Sequence, residues 1–311
     1  MAKARKGTAK AEAPKEPARP PERKIPRFAP EKALTAKDLM TKDPKVAVLP
    51  GSRTEVLRIL VTYKITGVPV VKKDGTLAGF VARKHIFAKP EEEQLAMIMV
   101  RDYPSVEASE DIRSVARTFI KKDLHHLPVV QKGKLVGIIT PADLLGYIGG
   151  LSLDKPVEDV VRSPCVAIHE STPLNIASEI MRLGKVFSLP VLDGDGKLAG
   201  LVTDRDVFNL SVINGSVAIH DLGLAGDEDA WAWEGLRNVM RLYYEEKKIN
   251  LPKIAVRDVM VRKPVTVFRK TGLSEAATLM YRYDFGQLPI VDSNDRLFAM
   301  LYELDVVAAL E

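Results

Sequence analysis

Four times in this chain a short apolar strand carries a central proline: GVPVV at 67–71, HLPVV at 126–130, SLPVL at 188–192 and QLPIV at 287–291. A second proline precedes each at a nearly constant interval. Pro44 to Pro69, Pro104 to Pro128, Pro164 to Pro190 and Pro264 to Pro289 are 25, 24, 26 and 25 residues apart. Self-similarity of this kind constrains the architecture more than any single residue can, because every copy has to be the same supersecondary unit.

Each first proline opens a β-branched run, PKVAV, PSVEA, PCVAI or PVTVF. Between the two prolines the pattern is helical, with start signals such as Ser52 followed by Glu55, or Thr172 before Pro173. These helices put Val56, Leu57, Ile59 and Leu60, or Ile176, Ala177, Ile180 and Met181, on one face. After each proline strand comes a hairpin signal, Asp74-Gly75, Lys132-Gly133, Asp193-Gly194-Asp195-Gly196 or Asn294-Asp295, and then a second strand, LAGFV, LVGII, LAGLV or LFAML. A short helix closes the unit, as in TPADLLGYI. The unit is thus β-α-β-β-α, and the fold class is α+β. A unit this small cannot bury both faces of its sheet, so the copies are expected to pair.

These four in-phase units resemble the cystathionine-β-synthase (CBS) domain over residues 34–310. The resemblance implies repeats at 34–90, 93–150, 153–211 and 255–310, paired into two Bateman modules that form a disc, as in the gamma subunit of AMP-activated kinase. It also implies clefts that take AMP, ADP, ATP or related adenosyl ligands. The family's ligand motif is Gly, two apolar residues, Thr or Ser, two free positions and Asp. Repeat 2 supplies Gly137, Thr140 and Asp143, and repeat 3 supplies Gly200, Thr203 and Asp206. A carboxylate can accept hydrogen bonds from a ribose diol, while a hydroxyl and the free N–H groups of a helix start suit phosphate. The same residues also make an ordinary helix cap. Repeat 1 departs from the motif with Ala82 and His85. Repeat 4 has Ala299, Tyr302 and Asp305, keeping the carboxylate and losing the small hydroxyl. His125 and His126, and Ser188 in repeat 3, stand where family members place phosphate contacts, Lys185 being nearby. The alternative for the histidines is that one packs and one is solvated. No metal ligand set is read from them.

The net charge of +5 divides unevenly. Residues 1–30 hold nine Lys or Arg and three Glu, so the remaining 281 carry 37 basic and 38 acidic residues. Lys3, Arg5, Lys6, Lys10, Lys15, Arg19, Arg23, Lys24 and Arg27 lie in a Pro- and Ala-rich tail with little apolar content, expected to be disordered alone. Such an arm suits the phosphates of RNA, and the family includes archaeal proteins that sit on ribosomes and silence them. The expected partner is therefore the ribosome or its rRNA. The alternative is a regulatory subunit controlling a kinase or metabolic enzyme.

Between repeats 3 and 4 an insertion at 212–254 carries Trp231, Trp233 and a stripe of Leu236, Val239, Met240 and Tyr243. It reads as a helix packed over the second module or as a docking surface for a protein partner. The single cysteine, Cys165, is expected to be a small buried residue. No membrane-spanning run, secretory leader, Walker lysine, zinc-protease helix or elbow serine occurs. The chain is thus read as cytoplasmic and non-enzymatic, with pairing of discs into a homodimer open to it.

Overall fold

The structure, a computed structural model, describes residues 22–24, 34–63, 65–89, 92–153, 155–207 and 254–311. A lead-in of α1 (Ala36–Leu39) and β1 (Thr41–Lys42) comes first. Repeat 1 runs β2 (Ala47–Val48), α2 (Arg53–Thr62), β3 (Gly67–Val71), β4 (Leu77–Ala82) and α3 (Arg83–Ala88), and α4 (Leu95–Ile98) leads on. Repeat 2 runs β5 (Val106–Glu107), α5 (Ile112–Lys122), β6 (Leu127–Gln131), β7 (Lys134–Ile139) and α6 (Pro141–Gly150). Repeat 3 has β8 (Ile168–His169), α7 (Leu174–Gly184), β9 (Ser188–Leu192) and β10 (Leu198–Thr203), followed by the start of a helix at 204–207. After β11 (Val261–Arg262), repeat 4 has β12 (Val267–Phe268), α8 (Leu273–Tyr283), β13 (Gln287–Val291), β14 (Leu297–Tyr302) and α9 (Glu303–Val307). The mixed α+β architecture with four β-α-β-β-α units is the one expected.

The register explains the repeated prolines. In each repeat the first strand is only two residues long and runs parallel to the second, pairing Ala47 with Val70, Val106 with Val129, Ile168 with Val191 and Val267 with Ile290. Pairing therefore begins one residue after each of Pro69, Pro128, Pro190 and Pro289. A residue without an N–H sits in a central strand just where no partner asks for one. Ser52 and Glu55 form the anticipated capping box, with Glu55 N–H donating to Ser52 Oγ at 3.2 Å and Ser52 N–H to Glu55 Oε2 at 3.0 Å. Gly75 and Gly133 turn the first two hairpins at φ 82° and 77°, a region costly for any residue with a Cβ.

Each lead-in packs with the neighbouring repeat. β1, which precedes repeat 1, pairs with β7 of repeat 2 (Thr41 with Ile138, Lys42 with Gly137). β11, which precedes repeat 4, pairs with β10 of repeat 3. Leu95 and Ile98 of α4 fill the core of repeat 1, and Val157 and Val160 pack with repeat 4. The motif glycines permit this crossing: a Cβ on Gly137 would lie 2.4 Å from Met40 Sδ, and one on Gly200 would lie 2.5 Å from Met260 Sδ. Backbone bonds between hairpins close each pair, Leu77 N–H to Gly133 O and Leu135 N–H to Gly75 O in the first, Leu198 N–H to Asp295 O in the second.

The two pairs share one core through repeats 2 and 4. Ile112, Val115, Phe119, Leu144 and Ile148 of repeat 2 form a single buried cluster with Leu273, Ala276, Ala277 and Met280 of repeat 4. α6 approaches α8 closely along its own glycines: a Cβ on Gly146 would stand 2.8 Å from Tyr281 Cε2, and one on Gly149 would stand 2.7 Å from Thr278 Oγ1. Among the described residues no helix is long and apolar enough to cross a membrane.

Cys165 departs from expectation. It is exposed, because the strand of its repeat starts only at Ile168 and leaves it on the lead-in. Ile176 also departs: Ala177 and Met181 are buried, but Ile176 is 46% exposed. The insertion, with Trp231 and Trp233, lies outside the described residues except for Ile254.

The seam between the modules gives a test. Gly146→Val has to displace a rigid ring, and is expected to lower the unfolding free energy by about 1–3 kcal/mol, read as a fall in Tm. Gly184→Ala, whose new Cβ meets its nearest neighbour at an ordinary 3.6 Å, should leave Tm unchanged or slightly raised.

Candidate functional site

The chemistry gathers where the last strand of each repeat turns into its closing helix. In repeat 2, Thr140 caps α6, whose first residue is Pro141. Asp143 Oδ2 accepts from Thr140 N–H and Thr140 Oγ1, both at 2.8 Å. In repeat 3, Asp206 Oδ2 accepts from Thr203 N–H at 2.9 Å and Thr203 Oγ1 at 2.7 Å. One oxygen of each carboxylate thus serves the cap, and Oδ1 of each accepts no hydrogen bond from a described residue. Both aspartates are half-buried. Burial pushes the Asp143 carboxyl above its ordinary value, the Thr140 bonds and the charge of Arg23 oppose that, and Glu303 adds to it.

The other two junctions are used differently. In repeat 1, Ala82 N–H donates to His85 Nδ1 at 3.1 Å, so an imidazole replaces the capping carboxylate. In repeat 4, Asp305 is 3% exposed. Its Oδ2 accepts from Tyr302 N–H at 3.0 Å, and its Oδ1 accepts from Arg162 N–H and Ser163 Oγ, both at 3.1 Å. Both oxygens are engaged, Oδ2 in the helix cap and Oδ1 in tying the lead-in of repeat 3 to repeat 4, and burial raises its carboxyl. Asp305 is thus buried and bonded through both oxygens, unlike Asp143 and Asp206. Ser188 is likewise 1% exposed, and its hydroxyl donates to Tyr302 Oη at 3.4 Å. It faces the core because strand alternation turns the preceding Phe187 outward instead, 57% exposed.

His125 and His126 point to different repeats, as neighbours on an extended chain must. His125 Nδ1 is 2.8 Å from Glu303 Oε1 of repeat 4, and its ring stands edge-on to Phe187 of repeat 3 with centroids 5.8 Å apart. It therefore sits where repeats 2, 3 and 4 meet. His126 Nε2 is 2.8 Å from Thr66 Oγ1 of repeat 1, and its ring leans on Phe80, which stacks on Tyr103 at 4.4 Å. Burial pushes the Tyr103 hydroxyl up to about 12.

Residues that sequence reasoning passed over complete the picture. Arg83 opens α3 of repeat 1; burial lowers its pKa, with Asp204 of repeat 3 opposing and Arg205 reinforcing. Arg83, Asp204 and Glu303 share the first helical position that Pro141 holds in repeat 2, and alignment of the four junctions would have marked them. Of the basic tail residues, Arg23 and Lys24 are described; Lys3, Arg5, Lys6, Lys10, Lys15, Arg19 and Arg27 lie outside the described residues. Arg23 pairs with Asp284 Oδ1 of repeat 4 at 2.9 Å. The arrangement offers a half-buried acceptor beside an oriented hydroxyl and a helix start in repeats 2 and 3, with arginine and histidine near by, a set suited to a ligand that carries both a diol and an anion.

The CBS domain profile matches residues 36–92, 95–150, 157–212 and 256–311. Protein MJ1225 of Methanocaldococcus jannaschii is 25% identical over 171 residues, 49% of this chain and 61% of that protein. Its crystal structure has a TM-score of 0.67 at 19% identity, covering 89% of this chain and 100% of that one. An uncharacterized conserved protein from Pyrococcus horikoshii has a TM-score of 0.64 at 23% identity, again covering 89% and 100%. These two likenesses concern the fold. The chloroplastic CBS domain-containing protein CBSX2 of Arabidopsis thaliana is 32% identical over 142 residues, 46% of this chain and 57% of its own. A crystal structure of CBSX2 is of its complex with AMP. The matched stretch spans less than two thirds of MJ1225 and of CBSX2.

The bonds of Asp305 give a test of its structural role. Asp305→Ala leaves three donors without their acceptor and is expected to lose about 2–4 kcal/mol of stability, measured by denaturant unfolding. A cost below about 0.5 kcal/mol would contradict the latch.

Proposed function

The chain belongs to the CBS domain family, and on that premise we propose that it is a cytoplasmic regulatory protein that binds an adenine nucleotide (AMP, ADP or ATP) at Thr140/Asp143 and at Thr203/Asp206. One observation carries the reading: Asp143 and Asp206 each commit a single oxygen to the helix cap and keep the other for a ligand. The two repeats that depart from the motif lack this arrangement, since His85 has replaced the carboxylate and Asp305 is buried with both oxygens bonded. The ribose diol is assigned to the aspartates and the phosphate to the threonine and helix N-terminal side, with His125 and Arg83 as neighbouring side chains. The AMP complex of the relative CBSX2 supports the choice of ligand class.

A second reading concerns the partner. Nine basic against three acidic residues in 1–30, with a net of −1 elsewhere, favour an anionic partner over a neutral protein surface. Ribosomal RNA fits that charge, and the protein would then restrain translation in a nucleotide-dependent way. The alternative is a gamma-subunit-like regulator of a kinase or metabolic enzyme.

Two measurements follow. Titration calorimetry with AMP should show Asp143→Ala and Asp206→Ala each weakening one site by about tenfold to a hundredfold while the far-UV spectrum stays unchanged; unaltered binding in both variants would leave these residues as caps only. Gradient sedimentation of cell extract should place the full chain with ribosomal particles at low salt and release it at high salt. A chain lacking 1–30 that still co-sediments would sink the RNA reading.

A further inference from the structure

Three tail residues, Glu22, Arg23 and Lys24, are described, and two of them are seated on repeat 4. Arg23 N–H donates to Arg282 O at 2.9 Å. The Arg23 guanidinium pairs with Asp284 Oδ1 at 2.9 Å and stands 6.0 Å from the centroid of the Tyr281 ring. Glu22 Oε1 accepts from Tyr283 Oη at 3.0 Å, and Oε2 lies 3.9 Å from Arg282 Nε. The receiving residues form the last turn of α8 and its cap, Asp284, held in the left-handed region at φ 55°.

This seat adjoins the repeat 2 site. Tyr281 packs on Gly146 of α6, and Asp143 is one turn earlier on the same helix. The repeat 4 side of this region presents two carboxylates, Asp284 and Glu303. Glu303 is held by His125 at 2.8 Å, and Asp284 is held by Arg23. Without Arg23, a phosphate held at Thr140 and the start of α6 would feel the charge of an unneutralised Asp284 from the repeat 4 side. The reach of Arg23 into the site is also visible in its opposition to the raised Asp143 carboxyl.

We infer that Arg23 is a phosphate-selecting residue of the repeat 2 nucleotide site: the tail lends the site a cation that neutralises Asp284 and lets the cleft accept a phosphorylated ligand rather than a bare nucleoside. The inference rests on the nucleotide reading above. By linkage, a bound phosphate holds the tail segment on repeat 4 as strongly as the segment holds the phosphate. Arg23 acts here by position and charge, and Arg23 and Asp284 remain 46% and 44% exposed, so the effect is of surface-pair size.

The test compares AMP with adenosine by calorimetry on the full chain. Arg23→Ala should weaken AMP at the Asp143 site by about threefold to tenfold and leave adenosine unchanged. Adding Asp284→Asn to Arg23→Ala should return AMP affinity toward the wild-type value, because the charge that Arg23 cancels is then gone. Equal losses for AMP and adenosine, no loss for either, or tighter AMP binding in Arg23→Ala would each overturn the role of Arg23 and leave the nucleotide reading standing. Failure of the wild-type chain to bind both ligands would overturn that reading, and this inference with it.

Discussion

Every repeat in this chain depends on a piece of backbone that precedes a different repeat. β1 completes the sheet of repeat 2, and β11 completes that of repeat 3. The segments around Leu95 and Val157 fill the cores of repeats 1 and 4. A unit of about 55 residues buries too little to stand alone, and this crossing supplies the missing side chains. The motif glycines are explained by the same demand. Gly137 and Gly200 face Met40 and Met260 at distances that exclude a Cβ, and Gly79 faces Val100 O at 2.4 Å in the same way. A glycine that looks like part of a ligand signature is thus present for the approach of the lead-in.

With the frame held this way, four equivalent strand-to-helix junctions face inward, and their differences become chemistry. The cap is nearly constant, with an acceptor three residues into the helix turning back to the junction N–H in all four repeats. What varies is the acceptor's remaining capacity. Asp143 and Asp206 use one oxygen each, Asp305 is buried with bonds on both, and in repeat 1 a ring nitrogen takes the carboxylate's place. Polar and charged side chains from segments far apart in the chain meet here, His125 with Glu303 and Arg23 with Asp284.

Much of this was legible in the residue order. The prolines gave the period, the capping box at Ser52 appeared as expected, and Thr140, Asp143, Thr203 and Asp206 stand at their junctions. What could not be read was contact between segments distant along the chain. The bonds on Asp305 Oδ1 come from Arg162 and Ser163, which lie 143 and 142 residues away. The partner of His125 is 178 residues away. Ile176 lies off the buried Leu174, Ala177 and Met181 stripe of α7, and the exposure of Cys165 follows from where a two-residue strand starts, which leaves almost no periodic signal. The tail looked like an arm for a foreign polyanion, and charge counting has no means of seeing that Arg23 meets Asp284.

The crossing of lead-ins also bears on how such a chain can change over generations. Deleting repeat 1 by itself would leave repeat 2 and its borrowed strand without the connection that delivers it, and would expose the edge of β7 as an open template for aggregation. Deleting a pair removes donor and recipient together. Gene rearrangements that survive should therefore add or drop these repeats two at a time, making the heritable unit the pair and not the repeat.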